Sequence, residues 1–377
     1  MRVLIDYRAA LRERSGVGEY THQLALALLR QRAETHSSVT SLTLFSSSWK
    51  DRLHLDGPLA AATVVDRAIP VRLLNLAWHR LEWPPVERLA AARFDVVHSM
   101  HPLLLPSRRG ARVITIHDLN FLSHPDRTRA EIRRDYPSLA RAHAHRADGI
   151  VVVSAFTASE TERLLGVPRE RMTICSPGAP EWAPRTSAPD PGYLLFFGTL
   201  EARKNVGALL DAYETLVTRR RDVPELVLAG RATDDAAPWL ARIARAPLAG
   251  RVRHLGYVQA DQRRALYAGA RLLVQPSFEE GFGLPVLEAM TVGVPVVAAN
   301  RGALPEVLGG AGLLVETTDR DEFAAALLHV IDDQAHAAAM SAAGLARAAT
   351  YTWDRTAAHT CRAYAQALAR RATDGAS

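Results

Sequence analysis

Short apolar runs alternate with stretches of helical periodicity along most of the chain. Between the first two runs, Tyr20, Leu24, Ala27 and Leu28 recur at the spacing of one helix face. Strands that alternate with helices pair in parallel, so the pattern predicts doubly wound α/β sheets. The predicted strands are 2–7, 41–47, 63–69, 95–100, 112–117, 149–154 and 171–176, followed by 193–198, 225–229, 252–255, 270–275, 294–299 and 312–315.

Helices are predicted in several segments between these strands and beyond the last of them. They are 19–31, 127–146, 155–165, 204–219, 236–246, 260–269, 285–292, 303–309, 319–333, 335–349 and 355–371. The final segment carries apolar residues at Ala357, Cys361 and Tyr364, as expected of a helix with one buried face.

A proline-rich stretch divides this pattern into two halves. Residues 183–192 contain three prolines and one glycine, which disfavour both helix and strand. We therefore expect a Rossmann-like domain over 1–183, a linker over 184–192, a second Rossmann-like domain over 193–350, and a C-terminal helix over 351–377 that crosses back to the first domain. The carboxyl ends of both sheets would face a central cleft, because open α/β sheets bind their ligands at those ends.

The composition agrees with this picture and excludes several classes of protein. A chain of 377 residues that is 48% hydrophobic and 23% charged is long enough for two globular domains. Apolar runs such as Leu24–Leu29 are much shorter than the ~18 residues of a membrane span. Asp6 interrupts the first apolar run too early for a secretory signal, so we expect the protein in the cytoplasm. The two cysteines, Cys175 and Cys361, match no metal-binding spacing and predict no disulfide.

The net charge of +6 lies entirely in the first half of the chain. Residues 1–190 carry 26 Lys and Arg against 20 Asp and Glu, whereas residues 191–377 carry 20 cations and 20 acids. A basic half is compatible with nucleic acid, anionic lipid or an acidic substrate, and equally with an ordinary solvated surface. Lysine is rare, since only Lys50 and Lys204 stand among the 46 cations.

The segment from Gln275 to Met290 carries the strongest chemical signal. Gly281 and Gly283 follow an apolar strand and lead into a helix that begins near Pro285. The N–H groups at a helix N-terminus favour an anion, so a phosphate fits there. The amides in question belong to Phe282, Gly283 and Leu284.

Two carboxylates flank this turn. Glu280 precedes it, and Glu288 lies eight residues further along. A carboxylate repels phosphate but accepts hydrogen bonds from hydroxyl groups. The combination predicts a ligand that carries both phosphate and sugar or ribose hydroxyls.

A cationic pair follows the first strand of the second half. The run Phe197-Gly-Thr-Leu-Glu-Ala-Arg-Lys-Asn205 ends a strand at Gly198 and places Arg203 beside Lys204 at the start of a helix. A planar guanidinium and a compact ammonium can together neutralise a diphosphate leaving group. Lys204 also stands out because this chain otherwise uses arginine.

The first half offers two candidates for the same ligand. Gly16 and Gly18 join the first strand to its helix, and paired glycines let the backbone approach a ligand closely. Thr21 stands where a dinucleotide fingerprint needs its third glycine, which argues against NAD. His117 closes an apolar strand and should emerge at its carboxyl end.

No metal site is predicted. His143 and His145 are two residues apart on a predicted helix and therefore lie on different faces. The pair Asp319 and Asp321 imitates a metal-binding motif, but capping of the helix that it opens explains it. The sequence has no nucleophile elbow and no Walker motif, so hydrolase and P-loop functions have no support.

The run from Glu280 to Ala289 resembles the signature of the retaining GT-B glycosyltransferases, Glu-Gly-Phe-Gly-x-Pro-x-x-Glu-Ala, and matches it completely. The resemblance implies that Glu280 contacts the transferred sugar, that Glu288 contacts the ribose, and that the cationic pair neutralises the diphosphate without a metal. The residues it marks as catalytic are His117, Arg203, Lys204 and Glu280. Those it marks as donor-binding are Gly16, Gly18, Gly198, Ser277, Phe282, Gly283, Leu284 and Glu288.

The activity implied is transfer of a hexose, with retained configuration, from a nucleotide sugar to a glycan or lipid-linked acceptor. The first domain would hold the acceptor and the second the donor. The run from Thr115 to Leu119, followed by His124-Pro125, is most similar to mannosyl- and rhamnosyl-transferring members that build bacterial polysaccharides such as lipopolysaccharide. This favours mannose as the sugar and GDP-mannose over a UDP-sugar as the donor, with no cofactor besides the substrate.

The basic first half adds peripheral contact with anionic lipid at the inner face of the cytoplasmic membrane, and nucleic acid is not an expected partner. Two alternatives stay open. One is a sugar-nucleotide epimerase, which can share the two-domain fold but would not need the segment between Glu280 and Glu288. The other is a sugar-nucleotide binding protein without catalytic activity.

Overall fold

The computed structural model describes residues 1–11, 14, 16–33, 38–124 and 130–374. The chain forms two units, one of Met1–Gly178 with Thr352–Ser377 and the other of Ala179–Tyr351. Each unit is built on one parallel sheet with helices between its strands. The α/β class and the two Rossmann-like sheets that the alternating pattern predicts are therefore confirmed.

Each predicted strand is present, with its ends within two residues of the predicted ones. The strands of the first unit are β1 Arg2–Asp6, β2 Ser41–Ser47, β3 Thr63–Arg67, β4 Val96–Ser99, β5 Ala111–Ile116, β6 Gly149–Val152 and β7 Met172–Ile174. Those of the second unit are β8 Tyr193–Phe197, β9 Glu225–Ala229, β10 Val252–Gly256, β11 Ala270–Gln275, β12 Val296–Ala299 and β13 Leu313–Val315.

The helices fill both units. In the first unit they are α1 Val17–Ala33, α2 Val71–Leu81, α3 Val86–Ala90, α4 Asn120–Ser123, α5 Ala130–Arg146, α6 Ala155–Leu165 and α14 Trp353–Asp374. In the second unit they are α7 Val206–Arg219, α8 Ala237–Ile243, α9 Ala260–Ala268, α10 Leu284–Val292, α11 Leu304–Leu308, α12 Arg320–Asp332 and α13 Gln334–Ala348. Short 3-10 turns lie at Arg8–Ala10, Gly57–Ala61, Arg169–Arg171, Ala202–Lys204 and Asp234–Ala236.

Three of these helices, α2, α3 and α4, were not predicted. The largest is α2, whose polar residues Arg72, Asn75, His79 and Arg80 lie on one side that is interrupted by Leu76. The predicted helix 127–146 is present as α5, and its residues 127–129 lie outside the described part of the chain.

The strand order places a reversal in each sheet. The first sheet runs β3-β2-β1-β4-β5-β6-β7 and the second β10-β9-β8-β11-β12-β13. Every described strand pair is parallel, so the strands of each sheet end at one edge. In such sheets the switch point, here between β1 and β4 and between β8 and β11, opens a crevice for ligands.

Apolar side chains from strands and helices form a core in each unit. In the second unit Leu194, Leu226 and Leu272 pack with Leu209 of α7 and Phe323 of α12. In the first unit α14 packs against α1, β5, β6 and β7. Residues that are distant in the sequence therefore help to cover the first sheet. Among the described residues, no helix is both long enough and apolar enough to cross a bilayer.

The segment expected to be a linker, 184–192, belongs to the second unit. The backbone N–H of Arg185 donates to the carbonyl of Val292 at 3.0 Å, and its guanidinium donates to the carbonyl of Ala270 at 2.5 Å. The chain instead passes between the units at Gly178–Ala179 and at Tyr351–Thr352.

Candidate active site

The functional residues of the second unit gather where its sheet reverses order. Gly198, Arg203 and Lys204 follow β8, and Ser277 and Glu280 follow β11, the neighbouring strand. Because the two strands are parallel, both loops leave the same edge of the sheet. The structure therefore brings together two motifs that are about 75 residues apart in the sequence.

Glu280 lies at the centre of this cluster and is 6% exposed. Its Oε1 lies 2.5 Å from Nζ of Lys204 and accepts hydrogen bonds from Nε2 of Gln275 at 2.8 Å and from Oγ of Ser277 at 2.7 Å. Three donors on one oxygen fix the carboxylate in a single orientation. The motifs predict separate roles for Lys204 and Glu280 and do not predict this direct contact between them.

Arg203 holds the second oxygen of the same carboxylate. Its Nη1 lies 3.5 Å from Oε2 of Glu280, and its Nε lies 2.6 Å from Oε1 of Glu201. The carbonyl of Arg203 also accepts the N–H of Phe278 at 2.9 Å, which links the two loops through the backbone.

Charge explains the protonation states in this cluster. Burial alone would raise the pKa of Glu280, but the cations Lys204 and Arg203 and their hydrogen bonds lower it to about 2. For Lys204, burial and the neighbouring Arg203 lower the pKa by more than Glu280 raises it. Both pKa values are lowered, which favours the ionised form of Glu280 but disfavours that of Lys204, because the one carboxylate faces two cations that repel each other. Glu280 is thus ionised at neutral pH, and the cationic pair can stabilise further negative charge.

Close backbone packing holds the loop of Glu280 in place. A Cβ on Gly302 would lie 2.7 Å from the nitrogen of Glu280, and the N–H of Ala303 donates to the carbonyl of Glu280 at 2.9 Å. On the other side, a Cβ on Gly230 would lie 1.9 Å from the carbonyl oxygen of Gly198. Gly302 and Gly230 were not predicted as site residues, since each lies in an ordinary turn of the sequence.

The helix that follows Glu280 begins as the motif predicts. Gly283 is the N-cap of α10 with φ at 108°, a conformation that favours glycine, and a Cβ there would lie 2.9 Å from Cδ2 of Leu304. Pro285 lies in the first turn, and Phe282 is buried with its ring against Tyr351. Phe282, Gly283 and Leu284 therefore stand at a helix N-terminus, whose N–H groups and dipole suit a phosphate.

Glu288 belongs to a second buried group. It lies on α10 and is 4% exposed, with Oε2 accepting from the hydroxyl of Tyr267 at 2.8 Å and Oε1 lying 3.2 Å from Nη1 of Arg263. Both partners come from α9, and neither was predicted. Burial and the Glu288 carboxylate raise the pKa of Tyr267 well above its usual value, so its hydroxyl stays a donor.

The remaining predicted residues lie in the first unit. Gly16 has φ at 50° and precedes α1, Gly18 is buried in the first turn of that helix, and Ser15 lies outside the described residues. His117 follows β5, and its ring packs edge-on against Tyr20 of α1 with 5.0 Å between centroids. The structure thus joins the glycine loop and the histidine through Tyr20.

His117 is held as a neutral imidazole. Burial, with the nearby His101 and His98, lowers its pKa to about 3. Among the described residues its Nε2 is a buried polar atom without a hydrogen-bond partner. A neutral imidazole with an unsatisfied nitrogen can exchange a hydrogen bond with a ligand hydroxyl.

The structure also shows the surroundings of other acidic and histidine residues that the sequence brought to attention. Asp319 caps α12 by accepting from the N–H groups of Asp321 and Glu322, which confirms its reading as a helix cap. Nδ1 of His143 accepts the backbone N–H of Leu104 at 2.8 Å. In the described ranges, no group of three His, Cys, Asp or Glu side chains is placed to hold a metal ion. Of the pair His124-Pro125, the proline lies outside the described residues.

Comparison with known proteins agrees with this geometry. The family model for Glycosyltransferase Family 4 matches residues 14–180, and the model for Glycosyl transferases group 1 matches residues 191–333. O-antigen chain mannosyltransferase B of Escherichia coli is 36% identical over 291 residues, which cover 72% of this chain and 74% of the relative. D-inositol 3-phosphate glycosyltransferase of Thermobispora bispora is 29% identical over 309 residues, which cover 74% and 72%.

A solved structure extends the likeness to the whole chain. Sucrose-phosphate synthase of Thermosynechococcus elongatus aligns with 100% of this chain and 99% of its own, with a TM-score of 0.78 and 19% identity. At that identity the likeness concerns the fold. With a relative above one third identity and family models on both units, the chain belongs to the group 1 glycosyltransferases and has their GT-B type of fold.

Proposed function

We propose that this glycosyltransferase moves a mannosyl group, with retained configuration, from GDP-mannose to a glycan or lipid-linked acceptor in the synthesis of a bacterial surface polysaccharide. The observation that carries the proposal is the cluster of buried Lys204 and Glu280 with half-buried Arg203 at the switch point of the second sheet. The printed name of the Escherichia coli relative, an O-antigen chain mannosyltransferase, supports the choice of sugar and of product class.

The cluster suits the electronic demand of glycosyl transfer. When the bond between the anomeric carbon and the diphosphate breaks, its electron pair leaves with the diphosphate, whose negative charge grows. Lys204, Arg203 and the first turn of α10 supply positive charge that is already oriented for it. The acceptor oxygen then bonds to the anomeric carbon, and its proton passes to an oxygen of the departing phosphate.

The two carboxylates divide the recognition of the donor. Glu280, ionised and fixed by three donors, accepts hydrogen bonds from the hydroxyls of the transferred sugar. Glu288, held by Tyr267 and Arg263, accepts from the ribose. The first unit takes the acceptor in this proposal, and its candidate residues are His117, Gly16 and Gly18.

The leaving group needs no divalent ion in this proposal, because protein cations balance its charge. Activity should therefore survive exhaustive treatment with EDTA. Loss of turnover that is restored by Mg²⁺ or Mn²⁺ would show that a metal shares this task.

A donor panel tests the proposal directly. The protein is incubated with GDP-mannose, UDP-glucose and dTDP-rhamnose in turn, and both thermal stabilisation and nucleotide release are measured. A ligand that binds only the folded state stabilises it by RT ln(1 + [L]/Kd), so the preferred donor raises the melting temperature most. We expect GDP release from GDP-mannose and an α-mannosyl product by NMR.

Other outcomes decide between the alternatives. Conversion of the donor to an epimer without nucleotide release would indicate an epimerase. Stabilisation without any turnover, with or without added glycan acceptors, would indicate a binding protein. Preferred release of UDP or dTDP would overturn the choice of GDP-mannose.

A further inference from the structure

The exposed large apolar residues of the first unit are concentrated in one stretch of its sequence. Of the eight large apolar side chains that are exposed in the described part of the chain, seven lie between positions 49 and 83. They are Trp49, Val64, Val71, Leu73, Leu76, Leu81 and Trp83, and the eighth is Leu255 in the second unit. Single exposed leucines are normal on a protein surface, but a cluster of this kind marks a contact surface.

Helix α2 carries the centre of this group, with apolar residues on its buried side and two exposed leucines on its polar side. Leu74 and Trp78 point into the core and are 2% and 1% exposed. On the opposite side Leu73 and Leu76 are 61% and 60% exposed, and residues three apart are neighbours on a helix surface. A helix with only one side packed on its own domain normally has polar residues on the other.

The helix is firmly attached, so its exposed leucines are not the result of loose packing. Asn75 accepts a hydrogen bond from Nη1 of Arg8 at 2.8 Å, and the guanidinium of Arg8 lies 4.8 Å from the ring centroid of Trp78. Arg8 stands two residues beyond the end of β1. Helix α2 therefore lies beside the carboxyl edge of the first sheet, where α/β sheets bind their ligands.

Cations surround the exposed leucines. Arg72 and Arg80 are four residues before and after Leu76, so they share its face, and both are exposed. Just past the helix, the guanidinium of Arg88 lies 5.9 Å from the ring centroid of exposed Trp83.

A cavity of about 180 Å³ opens beside Trp83. Its charged lining includes Arg108, Arg112 and Arg146 against a single acid, Glu82, which pairs with Arg146 at 2.5 Å. The surroundings of the apolar face are therefore predominantly basic.

We propose that the exposed face of α2, together with Trp83, lies in the interface of an anionic bilayer. Leucine and tryptophan side chains at this depth reach the boundary between headgroups and acyl chains, while arginines extend to lipid phosphates. The charge pattern favours lipid over a second copy of the chain, because the core of a protein interface is depleted in charged residues. The inference rests on the proposed function in one respect: a lipid-linked acceptor would explain why the enzyme contacts a bilayer.

Vesicle binding of the full chain tests this surface. Sedimentation is measured with vesicles of phosphatidylcholine alone and with vesicles that contain 30% phosphatidylglycerol, an amount chosen on the order of natural anionic content. We expect binding to the anionic vesicles that weakens as salt screens the charges. Leu73→Gln with Leu76→Gln should lower the partition coefficient on the order of tenfold or more, since two exposed apolar side chains are lost.

Matched variants separate the apolar and the ionic contributions. Arg72→Gln with Arg80→Gln should weaken binding to anionic vesicles while leaving binding to neutral ones unchanged. Leu255→Gln and Arg245→Gln remove an exposed leucine and an exposed arginine from the second unit and should change neither. Far-UV circular dichroism and thermal unfolding confirm that each variant is folded.

The proposal is overturned if the unaltered chain does not bind anionic vesicles at low salt, or if the leucine variant binds them equally well. It is also overturned if the chain is a dimer in solution that the leucine variant converts to a monomer, since the face would then belong to a second copy. Nucleotide release from the donor, measured without vesicles, reports on the proposed function separately. Retained release with lost vesicle binding supports the membrane surface.

Discussion

Glu280 shows why a local motif predicts a residue but not its neighbours. The glycines, the proline and the second acid lie within ten positions of it, so their spacing could be read from the sequence. Its contact with Lys204 spans 76 positions and depends on β8 and β11 being adjacent in the sheet. The partners of Glu288 could not be predicted, because Arg263 and Tyr267 lie on α9, whose sequence carries no motif.

The contact between Lys204 and Glu280 leads to a prediction for the removal of the lysine side chain. Lys204→Ala should lower turnover on the order of 10²-fold or more while changing nucleoside affinity much less, because the diphosphate charge grows only as the sugar leaves. Steady-state kinetics of nucleotide release with the preferred donor measure this. Lys50→Ala, which removes the other lysine of the chain, is the control, and unchanged turnover in Lys204→Ala would exclude the lysine from the mechanism.

The low pKa of Glu280 predicts a pH dependence of stability. Because folding lowers this pKa from about 4.5 to about 2, ionised Glu280 stabilises the fold above pH 4.5, and this contribution is lost as the pH falls towards 2. The difference in unfolding free energy between the unaltered chain and Glu280→Gln should therefore shrink between pH 5 and pH 3. Urea titrations at several pH values measure it, with exposed Glu225→Gln as the control. A difference that does not vary with pH would contradict the assignment.

Substitution of Glu280 and of Glu288 should have different effects on the binding of the nucleotide. Glu288→Gln keeps an acceptor oxygen but loses the charge, so GDP affinity should fall by about 1.5–3 kcal/mol. Glu280→Gln should leave GDP affinity nearly intact and still lower transfer, because its partner is the sugar. Isothermal titration with GDP beside transfer assays measures both. An equal loss of GDP affinity in the two variants would mean that the acids only support the loop.

At the scale of elements, the alternation of apolar runs predicts every strand of the two sheets but misses some of the helices. Buried parallel strands are continuous apolar segments bounded by turns, which is a strong local signal. Helix α2 has one buried side at Leu74 and Trp78, but the exposed leucines Leu73 and Leu76 interrupt its polar side and blur the pattern in the sequence. The boundary between the units also differs from the proline-rich segment, because Arg185 within 184–192 hydrogen-bonds to Val292 and Ala270 of the second unit.

Helix α14 contributes a buried polar contact that can be tested. The hydroxyl of Tyr364 lies 2.8 Å from Nδ1 of His98, whose Nε2 is paired with Thr115 at the same distance. Burial lowers the pKa of His98 to about 3, so the imidazole is neutral and needs both partners. Tyr364→Phe should destabilise the fold by about 1–3 kcal/mol, because it leaves a buried ring nitrogen unpaired.

Chemical denaturation followed by circular dichroism measures that loss. Tyr257→Phe, which removes a hydroxyl from a partly exposed tyrosine of the second unit, should change stability by less than about 0.5 kcal/mol. Equal effects of the two substitutions would show that the contact between Tyr364 and His98 contributes nothing to stability.

For the whole molecule, the first unit depends on residues from both ends of the described chain. Trp353, Ala357, Tyr364 and Ala367 of α14 are buried in that unit. Residues 1–351 alone should therefore leave the first unit incompletely folded while the second keeps its protection in hydrogen exchange. Mass spectrometry of peptides from β5 and β6, compared with peptides from β8 and β11, measures this, and equal protection in both sheets would contradict it.

The return of the chain through α14 also sets the order in which the units are completed during synthesis. Residues 179–351 are contiguous, and the N–H of Ala179 meets the carbonyl of Tyr351 at 2.9 Å, so the second unit is complete as soon as those residues have left the ribosome. The first unit is translated earlier but waits for α14, with the surface that α14 will cover still open to solvent and to chaperones. The part of the protein that is made first is therefore the part that is finished last.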